Sequence, residues 1–188
     1  MLKKRLLDRL KTRLRPRRPA QHGPPPPEFI RVAYCTPRQV VLITARHNGA
    51  ENVWPIDWHV PLSMEPKLYG IAVNRASYGA ELIRASNAFV VNFVPATWEE
   101  AIFLCGRTSG RAVDKFAVTG LVREEAESVD SPRLANTLGF LECQVEQVVE
   151  TGDHTLIIGR ITHEAYRAGA PALHHLYGEL ATVAGTFR

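Results

Sequence analysis

The chain has little of what most catalytic and metal sites are made from. Only three of its 188 residues are cysteine (Cys35, Cys105 and Cys143), and none form a CxxC pair. They supply neither a disulfide framework nor a zinc site, and they suit a reducing, cytoplasmic setting. The seven histidines do not cluster at metal-ligand spacing. His174 and His175 are adjacent, so on a helix or strand they cannot easily share one ion. No apolar run reaches membrane-spanning length. There is no Walker A loop and no GxGxxG. Ser109 sits one place too late for the GxSxG of a nucleophile elbow. No catalytic triad or paired carboxylate stands out.

What is present is enough for one domain with a core, since 45% of the residues are hydrophobic and 22% are charged. The charge is uneven. Residues 1–18 hold nine Lys or Arg against Asp8, a net of +8. The whole chain is +4, so the rest carries −4, and the high pI says nothing about nucleic acid and the body. Leu6, Leu10 and Leu14 form a narrow apolar stripe on a basic helix that Pro16 ends. Gly23 and the prolines at 24–27 then make a stiff, extended linker. The expected division is an arm and linker over residues 1–27 and a domain over 28–188. The arm suits a membrane surface, a nucleic acid, a partner protein or a second subunit. A solvated tail, or a helix packed on its own body, is the competing reading.

In the body, residues 39–44 predict a buried strand and Asn48-Gly49 a hairpin turn. Residues 51–53 begin a return strand, and residues 67–74 give the next one. Ser77 caps a helix that carries Ala80, Leu82, Ile83 and Ala85 on one face. Residues 88–94 are a strand. Thr97-Trp98-Glu99-Glu100 reads as a capping box that opens a short helix through Leu104. Residues 105–119 read as a loop, and 124–132 as acidic and exposed. Over 138–150 the pattern alternates, with Leu141, Cys143, Val145 and Val149 facing in and Glu142, Gln144, Glu146 and Glu150 facing water. Residues 154–162 run back as its partner, and 171–188 are weakly patterned. The expectation is a mainly β fold, an antiparallel barrel with peripheral helices.

Residues 53–66 read as the centre of the chemistry on composition, with two Trp and three Pro in fourteen residues. Three prolines argue against regular structure there. An irregular aromatic segment between strands suits the wall of a flat ligand; the alternative is a buried loop whose Trp residues plug the core. Asn74-Arg75-Ala76-Ser77-Tyr78 joins a strand to a helix start, where free N–H groups, a hydroxyl and a guanidinium suit a phosphate. Residues 105–111 form a second anion-suited loop, followed by Asp114-Lys115-Phe116. Together these suggest a ligand with one phosphate and one flat ring. His154 sits at the mouth of a hairpin, where a surface histidine is also ordinary.

These pieces together resemble the flavin reductase-like family of FMN-binding split barrels, which includes flavoredoxins. The resemblance rests on residues Pro55-Ile56-Asp57-Trp58-His59-Val60-Pro61-Leu62-Ser63 and Phe89-Val90-Val91-Asn92. It continues through Ser109-Gly110, Asp114-Lys115-Phe116, Leu141-Glu142-Cys143, and Gly152-Asp153-His154 with Gly159. It covers roughly residues 33–165 and implies an antiparallel split β-barrel of Greek-key type, a homodimer, and FMN near the dimer interface. Trp54, Pro55, Ile56, Asp57, Trp58, Pro61, Leu62 and Ser63 would line the isoalloxazine ring. Asn74, Arg75, Ser77 and Tyr78 would hold the phosphate, with Lys115 reaching it from the second loop. His154 would stand where a nicotinamide stacks. Many members carry a small residue where this chain has Trp54, which would either stack on the flavin or narrow the nicotinamide slot.

The resemblance therefore implies hydride transfer from NADH or NADPH to FMN, with reduced flavin passing to a monooxygenase, a metal ion or oxygen. Such chemistry belongs to the cofactors and requires no protein nucleophile. The alternative is an electron carrier with retained FMN and a redox-protein partner. A third reading is an attachment protein dominated by its arm.

Overall fold

The computed structural model describes residues 35–167, 170–176 and 179–182, with 176 and 179–182 described by backbone alone. The arm and linker expected over residues 1–27 lie outside them. Seven strands form one antiparallel sheet: β2 (Val41–His47), β3 (Ala50–Ile56), β4 (His59–Met64), β5 (Lys67–Asn74), β6 (Ala88–Phe93), β9 (Gly139–Thr151) and β10 (His154–Tyr166). Their spatial order is β3-β2-β6-β9-β10-β5-β4. The short strand β1 (Arg38–Gln39) joins β11 (Leu173–Leu176) and β12 (Glu179–Thr182) in a three-stranded sheet. A third ladder pairs β7 (Arg123–Glu124) with β8 (Arg133–Leu134). The mainly β expectation holds.

Asn48 and Gly49 both have positive φ, 49° and 77°, so the β2–β3 turn takes the primed form that the Asn-Gly pair favours. The expectation of irregular structure over 53–66 is corrected. Pro55 lies in β3 opposite Leu42, and Pro61 lies in β4 opposite Tyr69. Both are tolerated because β3 and β4 are the two edges of the sheet, where a missing N–H breaks no second ladder. Only Asp57 and Trp58 lie between the two strands.

That short connection dictates the shape of the sheet. Across a flat sheet, six spacings of about 4.8 Å would hold the two edges about 29 Å apart. Three residue steps from Ile56 to His59 reach at most about 11 Å. The sheet must therefore roll until its edges meet at this crossing.

Helix α1 (Tyr78–Ser86) packs on the rolled sheet, with Ala80, Leu82 and Ile83 in the same core as Val41, Ile43, Ile71, Phe89, Val91 and Ile157. A second core lies on the other face of β2, where Leu42 meets Ile102 and Cys105 of α2 (Glu99–Arg107) and Phe116 of α3 (Lys115–Thr119). Strand β2 is thus covered on both faces, which explains its unbroken apolar run.

Three further expectations are corrected. Residues 105–119 are not one loop: α2 continues to Arg107, and Asp114 caps α3 by accepting the Ala117 N–H at 3.1 Å. Thr97 makes no capping box, because a 3₁₀ turn over Ala96–Trp98 feeds straight into α2 without a side-chain cap. Glu142 does not face water and is fully buried. Its carboxylate accepts the N–H groups of Glu127 and Ser128 and the Ser128 hydroxyl, and it pairs with Arg133. The excursion over residues 123–134 covers that end of β9, so only the later members of the outward set, Gln144, Glu146 and Glu150, are exposed. The weakly patterned tail supplies β11 and β12.

Burial opposes ionisation of Glu142, but the bonds from Ser128 and Glu127 and the Arg133 charge hold its carboxyl below the usual range. Its stabilisation is therefore complete above the unfolded carboxyl value and is lost as pH falls through the lower folded one. Glu142→Gln should cost about 3 kcal/mol in urea unfolding at pH 7. The gap from wild type should narrow below about pH 4. A constant gap across that range would sink this assignment.

Candidate functional site at the edge crossing

The crossing residues are held from three sides. Trp58 accepts the Ala72 N–H from β5 at 2.9 Å, and its ring lies 4.8 Å from the His154 ring at a 34° tilt. Asp57 presents its carbonyl to Arg38 Nε at 2.6 Å and its carboxylate to His175 Nδ1 at 2.6 Å. Burial raises the Asp57 pKa, but the His175 bond and charge, with Arg38, bring it below the usual value. His59 meets the Gln39 carbonyl through Nε2 (2.9 Å) and the Tyr69 hydroxyl through Nδ1 (2.6 Å). A carbonyl can only accept, so Nε2 carries the proton and Nδ1 accepts from Tyr69. Burial lowers the His59 pKa and supports this neutral form. A cavity of about 370 Å³ beside the crossing is lined by Arg38, Trp58, His59, Val60, Ala72 and Leu156.

One strand away, β5 ends at the start of α1. His154 and Asn74 are register partners, and Arg75 N–H donates to the Asp153 carbonyl at 3.1 Å. Asn74 Oδ1 accepts the Ala76 N–H, and Ser77 Oγ caps α1 by accepting the Ala80 N–H at 3.2 Å. The helix itself makes no use of its first-turn N–H groups, those of Tyr78 and Gly79 among them. Arg75 is half exposed and lies 3.6 Å from Glu150.

The second loop does come to this turn. Gly110 packs so closely on Asn52 Oδ1 and Tyr78 that a Cβ there would overlap the amide oxygen. Arg111 lies 4.6 Å over the Tyr78 ring and pairs with Glu81. Lys115, expected to reach a phosphate here, is placed differently. It is buried, and Nζ donates to the Cys105 carbonyl at 2.8 Å, with burial lowering its pKa. The cation that this loop sets against Tyr78 is Arg111.

The Trp54 indole lies against Gly79, where a Cβ would fall 2.5 Å from ring carbons. Ile56 packs on the main core, and Pro55 lies against Gly106. Pro61 and Leu62 are exposed and Ser63 is half-buried, further along β4. Trp58, Val60, Leu62 and Met64 alternate outward at 38%, 44%, 42% and 82% exposure. The site thus offers a cationic, hydroxyl-bearing helix start beside an aromatic and apolar recess. The buried Asn52 Oδ1, next to Gly110, has no protein donor. These groups fit a phosphate, a flat ring and a hydroxyl-bearing link between them.

A family model described as the flavin reductase like domain matches residues 33–183. The chain belongs to this family. A relative from Archaeoglobus fulgidus is 33% identical over 77% of this chain and 83% of its own length. The reductase subunit of a flavin-dependent monooxygenase from Rhodococcus jostii is 31% identical over 69% of this chain and 62% of its own. Among solved structures, an FMN-binding protein from Thermus thermophilus superposes with a TM-score of 0.77 at 22% identity, covering 92% of this chain and 99% of that one.

Within this flavin reductase-like chain, sequence reasoning missed Arg111, Arg38 and His175 as site-forming residues. Arg111 was visible in the anion-suited loop, but nothing in its spacing favoured it over Lys115. Arg38 and His175 reach Asp57 from sheet partners, which no local pattern reveals. Gly79→Ala should cost about 2 kcal/mol by overpacking. Combining it with Trp54→Leu should recover part of that loss in thermal melts. Additive losses would contradict the Trp54–Gly79 contact.

Proposed function

We propose that this protein is a flavoprotein oxidoreductase that binds FMN across the crossing and takes hydride from NADH or NADPH. The observation that carries this reading is the meeting of Arg75, Ser77, Tyr78 and Arg111 around the first turn of α1, beside the Trp58–His154 pair. Arg75, the Ser77 hydroxyl, the first-turn N–H groups and Arg111 bind the phosphate, a charge that also suits the helix N-terminus. Asn74 shapes that turn. The Asp57–Trp58 crossing, with Pro55 and Ile56 behind it, orients the ring and shields one face from water. Backbone N–H groups of the segment stabilise negative charge on the N1–O2 edge. Bound FMN supplies the hydride-accepting and electron-passing chemistry.

The outward stripe of Trp58, Val60, Leu62 and Met64 is the homodimer interface in this reading, because an apolar strip on an edge strand invites a second copy. Reduced flavin passes on to a monooxygenase or another redox partner; the Rhodococcus relative is named as the reductase subunit of a flavin-dependent monooxygenase. A second reading is favoured by the Trp58 ring resting on His154, which occupies the face expected to receive a nicotinamide. It makes the protein an electron carrier that keeps FMN and is reduced by a protein partner.

The visible spectrum of the purified chain, taken before and after anaerobic NADH, tests both. A flavin band that NADH bleaches supports the reductase. A band that only dithionite bleaches supports the carrier, and the absence of any band after adding FMN refutes both. Arg75→Ala and Ser77→Ala should each weaken FMN binding about tenfold, read by flavin fluorescence titration. Leu62→Glu should turn a dimer into a monomer in sedimentation velocity, and an unchanged sedimentation coefficient would reject the interface.

A further inference from the structure

We propose that His175, in the C-terminal hairpin, is a positioning residue that fixes the Asp57 carboxylate and thereby the crossing against which the flavin ring lies. This rests on the FMN reading above, and it adds a residue outside every motif that suggested that reading.

The geometry concentrates on one point. His175 Nδ1 and Asp57 Oδ2 are 2.6 Å apart, although 118 residues separate them in sequence. Across the β1–β11 ladder, His175 pairs with Arg38, and Arg38 Nε takes the Asp57 carbonyl. The next pair in that ladder is Gln39 with His174, and the Gln39 carbonyl accepts His59 Nε2–H. The residues on either side of Trp58 are therefore both tied to the small sheet. The Trp58 carbonyl is tied to β5. Three of these ties hold backbone or ring in place, whereas His175 holds a charge. Its Nδ1–H donates to the carboxylate whether the ring is neutral or protonated.

That charge bears on the cofactor. The Asp57 side chain is 22% exposed, so an unpaired carboxylate there would be poorly screened. It would oppose the negative charge that a reduced ring accumulates beside the same backbone. His175 keeps the carboxylate turned toward the small sheet and compensated. The C-terminal hairpin thus sets both the placement of the ring and the ease of its reduction.

The test uses the full chain with His175→Ala, His175→Gln, Asp57→Asn and the His175→Ala/Asp57→Asn double variant. Amide hydrogen exchange over residues 56–60 of the flavin-free protein reads the tie without any cofactor. It should accelerate about tenfold in His175→Ala while residues 88–94 of β6 stay protected. FMN should bind about tenfold more weakly to His175→Ala. The bound flavin's midpoint potential should fall in that variant and return when Asp57→Asn is added. His175→Gln, which keeps a donor, should lie between wild type and His175→Ala on all three measures. Unchanged exchange over 56–60 would overturn the proposal, as would acceleration spread evenly over β6. A potential that stays low after Asp57→Asn would also overturn it. If wild-type protein takes up no FMN, the functional reading fails, and the exchange at 56–60 still decides whether His175 positions the crossing.

Discussion

Two residues join strands that stand at opposite edges of a seven-stranded sheet, and this requirement governs the rest of the molecule. It forces the sheet to roll, which brings Trp54 of one edge strand onto the helix that follows β5, near the other edge. Gly79 is the point of contact. The crossing itself has no ladder partner on either side, so its conformation depends on bonds from elsewhere: Arg38, Gln39 and His175 of the small sheet, and Ala72 of β5. A binding wall made this way is rigid only while its distant supports are in place.

Buried polar groups fix the remaining register. Asn92 donates to the Leu42 carbonyl and to Thr44 Oγ1, and accepts the Leu134 N–H, so one side chain locks β6, β2 and β8 together. Glu142 does the same for the excursion over 123–134. Each of these groups is satisfied, as burial requires. Asn52 Oδ1 is the contrast, a buried acceptor with no protein donor, packed against Gly110.

Much of the fold was legible because local chemistry and tertiary context agree. Ser77 caps its helix, Asn48-Gly49 makes its turn, and residues 67–74 are strand over their whole length. The misreadings share one cause. Pro55 and Pro61 look like strand breakers until the edges of the sheet are known, and Glu142 looks solvated until the 123–134 excursion covers it. In the candidate site, Asn74, Arg75, Ser77 and Tyr78 were readable as a neighbourhood, since one short segment carries them, whereas Trp58 and His154 were joined to them only through the family resemblance. Lys115 and Arg111 could not be ranked, because which cation a loop turns inward depends on the helices around it. The supports of Asp57 were not readable at all, since they come from both ends of the chain.

The β2–β3, β4–β5 and β9–β10 hairpins pair near neighbours in sequence, whereas Asp57 waits for a histidine 118 residues downstream. Loop closure over that distance is slow, and a nascent chain presents its N-terminal portion first. A chain leaving the ribosome will have its barrel strands before its wall is braced. A chain that stopped before β11 would lose two things at once: His175, the tie on the Asp57 carboxylate, and Leu173, a buried member of the second core.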